Sequence, residues 1–121
     1  MPFKPWQTLQ LSIKWVGTPM AAVMLAGLFA GSAMGAATFV ISQKGRAFAP
    51  TEITIKRGDT IQFVNDDGDL LHHAFLQSDS FSFDSGDQDP GSTFEVKFTV
   101  AGQFTVRCAI HPKMKLVVVA N

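Results

Sequence analysis

Residues 93–120 read TFEVKFTVAGQFTVRCAIHPKMKLVVVA, and the alternation within this stretch decides the fold class. From Thr93 to Val100 every second residue (Phe94, Val96, Phe98, Val100) is large and apolar, so one face of an extended segment is dry. Ala101-Gly102 breaks the run. From Gln103 the pattern resumes, with Phe104, Val106 and Cys108 sharing a face. Lys115 to Ala120 adds a valine-rich strand, a side chain that suits a pleated, half-buried surface. A period of two sustained over this length argues against an amphipathic helix, which needs apolar positions three and four apart.

Toward the N-terminus the same pattern recurs in shorter pieces. Thr38 to Gln43 is apolar and β-branched, Glu52 to Lys56 sets Ile53 and Ile55 on one side, and Thr60 to Asn65 turns Ile61 and Phe63 inward. Arg57-Gly58-Asp59 reads as the turn between the last two. Six or so short strands at regular spacing, with no helical periodicity, predict an all-β fold, a small antiparallel Greek-key β-sandwich. Asp66 to Leu71 and Gln77 to Gly91 read as irregular loops. The second is rich in Asp and reads as a solvated acidic loop, or as an orienting patch for a basic partner, with Phe81 and Phe83 folding back on the sandwich.

The chain of 121 residues has room for one domain, and its 46% hydrophobic and 17% charged residues are ordinary for a globular fold. The N-terminus differs. Lys4 and Lys14 precede an uncharged stretch from Trp15 to Gln43 rich in Ala, Gly, Met and Leu, with small residues from Ala33 to Ala37. This is the pattern of a secretory signal, cleaved after Gly35 or Ala37. The stretch is also long enough for an uncleaved anchor, since a membrane span takes roughly 20 residues. The domains are therefore 1–35, a signal peptide or membrane anchor helix, and 36–121, the folded domain. Its expected location is periplasmic or otherwise extracytoplasmic, with membrane contact only through the N-terminal segment if that is uncleaved.

Residues 36–121 lose Lys4 and Lys14 but keep every acidic residue, leaving a net charge of about −2 and no basic surplus to recruit nucleic acid. They also keep one cysteine, Cys108, and one methionine, Met114. A lone cysteine has no internal disulfide partner, and a metal ion explains its presence in an oxidising compartment best. Cys108-Ala109-Ile110-His111-Pro112-Lys113-Met114 sets a thiolate, an imidazole and a thioether within seven residues. Soft sulfur donors suit Cu(I), imidazole suits both copper states, and two His plus Cys with a weak axial Met is the blue-copper arrangement. The second imidazole must come from His72-His73, which with His111 are all the histidines present. Consecutive strand residues face opposite ways, so one of that pair points at the ion more easily than the other. Zinc could use Cys and His but would leave Met114 without a purpose. A catalytic copper enzyme needs a second copper site or an open position, and no histidine is left to build one.

Two motifs resemble the cupredoxins, small blue-copper proteins of the plastocyanin, pseudoazurin and amicyanin type. Ile55-Lys56-Arg57-Gly58-Asp59-Thr60-Ile61-Gln62-Phe63-Val64-Asn65, followed by His72-His73-Ala74-Phe75, is similar to the family's Gly-Asp-Thr strand, Asn and ligand His. Cys108-x-x-His111-x-x-Met114 is most similar to the short amicyanin loop. The resemblance implies His72, Cys108, His111 and Met114 as ligands of one type 1 copper ion. It also implies that His73, where many members have Asn, ties the two copper loops together, and that Asn65 braces the site. The implied function is single-electron carriage by a monomer between transient redox protein partners, a donor and an acceptor, with a copper carrier or storage protein as the alternative. Electrons are expected to pass through the edge of His111 inside an apolar patch of Leu70, Leu71, Pro112 and Phe48. His111 is further expected to protonate and leave the reduced ion at mildly acidic pH.

Overall fold

Gly45 and Arg46 carry positive φ of 61° and 59°, the two-residue geometry whose twist matches a tight hairpin, and they join the first two strands. The structure, a computed structural model, describes residues 35–121. The leader reading falls on residues outside that range, apart from Gly35. Nine strands follow in order: β1 Thr38–Lys44, β2 Ala47–Ala49, β3 Glu52–Ile55, β4 Thr60–Asn65, β5 Ala74–Leu76, β6 Phe83–Asp84, β7 Thr93–Lys97, β8 Gly102–Cys108 and β9 Lys115–Ala120. One sheet has the order β2-β1-β4-β7 and the other β3-β9-β8-β5-β6, so the chain forms the expected all-β sandwich with crossovers between sheets.

Two pairings depart from an all-antiparallel sandwich: β1 runs parallel to β4, and β3 parallel to β9. The chain leaves the first sheet after β2, runs through the second as β3 and returns as β4. A strand that returns after such an excursion can lie alongside an earlier one in the same direction, which a tight hairpin forbids. The turn at Arg57-Gly58-Asp59 is thus a passage between sheets. Gly58 adopts φ 101°, open to glycine at no steric cost. The Asp59 carboxylate accepts hydrogen bonds from the amides of Ala37 (2.8 Å) and Lys56 (2.9 Å), which hold its carboxyl below the ordinary range. The second passage leaves β7 at Phe98, whose amide donates to Asp59 O (2.9 Å) and whose carbonyl accepts from Gly58 N (2.6 Å). The alternating residues 93–100 therefore split between a strand and a crossing.

Between the sheets lie Ile41, Ile61 and Phe63 from one side and Phe104, Val106, Leu116 and Val118 from the other, all buried. Burying each such side chain stabilises the fold by roughly 1.5–3 kcal/mol. Phe81 and Phe83 do fold back, Phe81 with its ring centroid 5.0 Å from Phe98 and 5.8 Å from Phe104, and Phe83 5.9 Å from Phe63. Along β8 this aromatic cluster lies toward Phe104. The other end of the strand is Cys108, and there the interior turns polar.

Candidate metal centre

Strand ends converge on that polar end. Cys108 closes β8 opposite Ala74 of β5, is 1% exposed and is a free thiol. Alternation points it inward after Phe104 and Val106, where a thiolate is shielded from water. Two residues before β5, His72 exchanges backbone hydrogen bonds with Gln88, at 2.7 and 3.2 Å, and is fully buried. Its Nδ1 lies 4.0 Å from Cys108 Sγ. From the loop between β8 and β9, His111 brings its Nδ1 to 3.7 Å from the same sulfur, with the two imidazole centroids 5.1 Å apart. The three donor atoms all lie within 4.8 Å of one another. Met114, 1% exposed, ends a tight turn in which its amide donates to His111 O (2.9 Å).

A polar frame holds His72. Asn65, at the end of β4, donates through Nδ2 to Leu70 O (2.8 Å) and Gln88 O (2.9 Å), and its Oδ1 accepts from Asp67 N (3.0 Å). Gln88 in turn donates to Phe63 O (3.3 Å) and accepts from Gln43 Nε2 (3.1 Å). The Asp67 carboxylate meets His72 Nε2 at 2.5 Å and accepts from Gly45 N (3.0 Å). These contacts, His72 first, keep the Asp67 carboxyl below the ordinary range. Sequence reasoning missed Asp67, Gln88 and Gln43. Asp66-Asp67-Gly68-Asp69 reads as solvated charge, and no spacing rule separates the one carboxylate that turns inward from its neighbours.

Two expectations need correction. The imidazole of His73 does not reach the second copper loop: Nε2 meets Asp84 (2.5 Å) and Nδ1 meets Asp87 (3.0 Å), so it fastens β5 to the acidic loop. The tie between the two loops is the backbone of His73, whose carbonyl accepts from Ala109 N (2.9 Å). Phe48 is no part of a surface patch, being 2% exposed and edge-on to Phe63. Leu71 (40%) and Ile110 (41%) are the exposed large apolar residues near the ligand loops, alongside exposed Pro112. His111 is half-buried at this rim, in a groove shared with Arg46, Ile110, Pro112 and Lys113. Burial first, then the charges of His72 and Arg46, lower its pKa from the ordinary 6.5, with Asp67 opposing.

The donor set fits a metal ion. Donors at ordinary bonding lengths of ~2.0–2.3 Å around one tetrahedral centre lie about 3.6 Å apart, close to the 3.7 and 4.0 Å found between the sulfur and the two Nδ1 atoms. The thiol, two imidazoles and a buried thioether nearby are the donor chemistry of a type 1 copper site. Comparison with known proteins agrees. The family described as copper binding proteins, plastocyanin/azurin family, matches residues 36–120. Chloroplastic plastocyanin of Silene latifolia subsp. alba is 30% identical, covering 88% of this chain and 72% of its own length. Chloroplastic plastocyanin of Chlamydomonas reinhardtii is 35% identical over 53% of this chain and 50% of its own. Among solved structures, amicyanin from Paracoccus versutus superposes with a TM-score of 0.62 at 22% identity, over 69% of this chain and 81% of amicyanin. A copper-containing nitrite reductase from Thermus scotoductus SA-01 gives 0.64 at 24% identity over 86% of this chain, which spans only 25% of that protein's length. On sequence, fold and donor chemistry together, the chain belongs to the plastocyanin/azurin family of copper-binding proteins, the cupredoxins.

Proposed function

We propose that this protein is an exported carrier of single electrons rather than an enzyme, with His72, Cys108, His111 and Met114 as the ligands of one type 1 copper ion. The observation that carries the reading is the approach of two imidazole Nδ1 atoms to one buried thiol, at 4.0 and 3.7 Å, on elements locked into a sandwich. Copper, when bound, supplies a one-electron couple, with sulfur donors suiting Cu(I) and imidazole suiting both states. The chain supplies stiffness: Cys108 and Met114 flank paired strands β8 and β9, and Asn65 pins the loop leading to His72. A frame that does not reshape between oxidation states keeps reorganisation small.

His111 is the ligand nearest solvent, so its ring edge is the port for the electron. Around it Ile110 and Pro112 offer a small apolar contact surface, exposed Leu71 precedes His72 in the chain, and Arg46 and Lys113 place positive charge at the margin of the His111 groove. This favours transient redox partners with an acidic rim, through an interface at the small end of the range, below about 1,200 Å². Burial of His72, Cys108 and Met114 at 0–1% exposure weighs against a carrier or storage role, which requires ready exchange of the ion. Export rests on the basic and then apolar N-terminal pattern. The hydrogen bonds Ala37 makes with Asp59 and Thr60 favour cleavage after Gly35 over cleavage after Ala37, which would remove them.

The test is an optical and EPR spectrum of exported, copper-loaded protein. An intense thiolate-to-copper band in the visible with a narrow copper hyperfine splitting is expected. A pale protein with an ordinary tetragonal Cu(II) signal would overturn the reading, as would copper lost within minutes to a competing chelator.

A further inference from the structure

Asp67 has no counterpart among the residues that sequence reasoning selected, yet it makes the tightest side-chain contact to a proposed ligand. Its Oδ2 is 2.5 Å from His72 Nε2, on the far side of the ring from Cys108. The carboxylate is 11% exposed and His72 fully buried, so water competes little for the bond. Nor is Asp67 free to turn away. Its Oδ1 accepts from Gly45 N in the β1–β2 turn (3.0 Å), and its own amide donates to Asn65 Oδ1 (3.0 Å). His111, by contrast, has no carboxylate within hydrogen-bonding distance among the described residues.

We infer that Asp67 is a positioning residue of the copper site: it accepts the Nε2 proton of His72, fixes the tautomer that presents Nδ1, and biases the site toward the oxidised ion. The inference rests on the proposed ligand role of His72 and adds what sets that ligand's strength. An imidazole has two nitrogens, and which one carries the proton is set by the partner of the other. A carboxylate partner does more than a neutral acceptor, because it raises the basicity of the ligand nitrogen. It also sets a full negative charge one ring away from the metal position. Both effects favour Cu(II) over Cu(I). The two imidazoles are then unequal donors: His72 is charge-assisted and held, and His111 is neutral and at the rim.

Asp67→Asn tests this, since it keeps the shape and an acceptor oxygen while removing the charge. Cu(II) affinity is expected to fall ~10- to 100-fold, the usual loss when such a partner is removed, with Cu(I) affinity changing less. The reduction potential then rises, by about 59 mV for each tenfold change in the ratio of the two affinities. A blue variant whose affinity ratio and potential match the parent overturns the inference, even if its metal-free form is less stable. An absent blue band in the parent would instead defeat the type 1 reading. Should Asp67→Asn fail to fold, nitrogen-15 NMR of the diamagnetic copper(I) parent decides. A protonated, slowly exchanging Nε2 on His72 is expected, and an unprotonated Nε2 or one exchanging as fast as a free imidazole overturns the proposal.

Discussion

The two loops that bring imidazoles to the site are held by different means. The upstream loop, residues 66–71, is bolted by side chains: Asn65 spans it to Leu70 and Gln88, and Asp67 fastens His72 from behind. The downstream loop, residues 109–113, is tied by backbone, from Ala109 N to His73 O and from Met114 N to His111 O, and its one side-chain tie among the described residues is His111 Nδ1 to Cys108 Sγ at 3.7 Å. Lys113, Pro112 and Ile110 on it face solvent. A loop full of carboxylates is thus the stiffer one. Rigidity comes from where polar groups find partners, and a buried partner is worth more than an exposed one because water does not compete for it. On the proposed ligand assignment, the contrast gives His72 the task of holding the metal firmly and His111 that of meeting a partner.

The most drastic way to break the comparison is to remove the sulfur that both loops face. Cys108→Ser should abolish the visible charge-transfer band while circular dichroism still reports the sandwich, and retained colour would mean that Cys108 is not a ligand. Next in size is a direct contrast of the two loops. Asn65→Ala leaves several buried groups without partners and should lower the stability of the metal-free protein by about 3 kcal/mol, whereas Lys113→Ala should change it by no more than about 0.5 kcal/mol. Urea unfolding of both variants measures this, and equal losses would erase the distinction.

A subtler change sharpens the comparison at the thioether. Met114→Gln should keep the metal and lower the reduction potential, because an oxygen donor favours Cu(II). Cyclic voltammetry reads the shift, and an unchanged potential would show that Met114 lies off the axial position. The smallest effect belongs to pH. With its pKa in the fold below the ordinary 6.5, His111 binds fewer protons folded than unfolded. Its penalty is absent above that value and grows as pH falls below it, so the metal-free protein loses stability on that limb. His111→Gln should flatten the limb in urea titrations between pH 5 and 7, and an unaltered slope would assign it to other groups.

Much of this was legible from residue order because the signals are local. Alternation marked β3, β4, β7 and β8, β-branched and valine-rich composition marked β1 and β9, and the inward side of β8 put Cys108 at the end of a buried row. β2, β5 and β6 escaped notice, being two or three residues long, too short for a period to show. Phe48 looked like a surface candidate because nothing in Ala47-Phe48-Ala49 reveals that Phe63 of another strand lies against it.

Residue order by itself determined that the chain is a β-sandwich and that a thiol, a thioether and two of three imidazoles are its candidate metal donors, since periodicity and donor type are properties of side chains one after another. Only the tertiary structure decided which of two adjacent histidines faces the sulfur, that β1 and β4 run in the same direction, and that Asp67 alone of its acidic neighbours meets an imidazole. Those outcomes depend on segments distant in the chain competing for the same few ångströms, and the winner is whichever arrangement leaves the fewest buried polar groups without a partner.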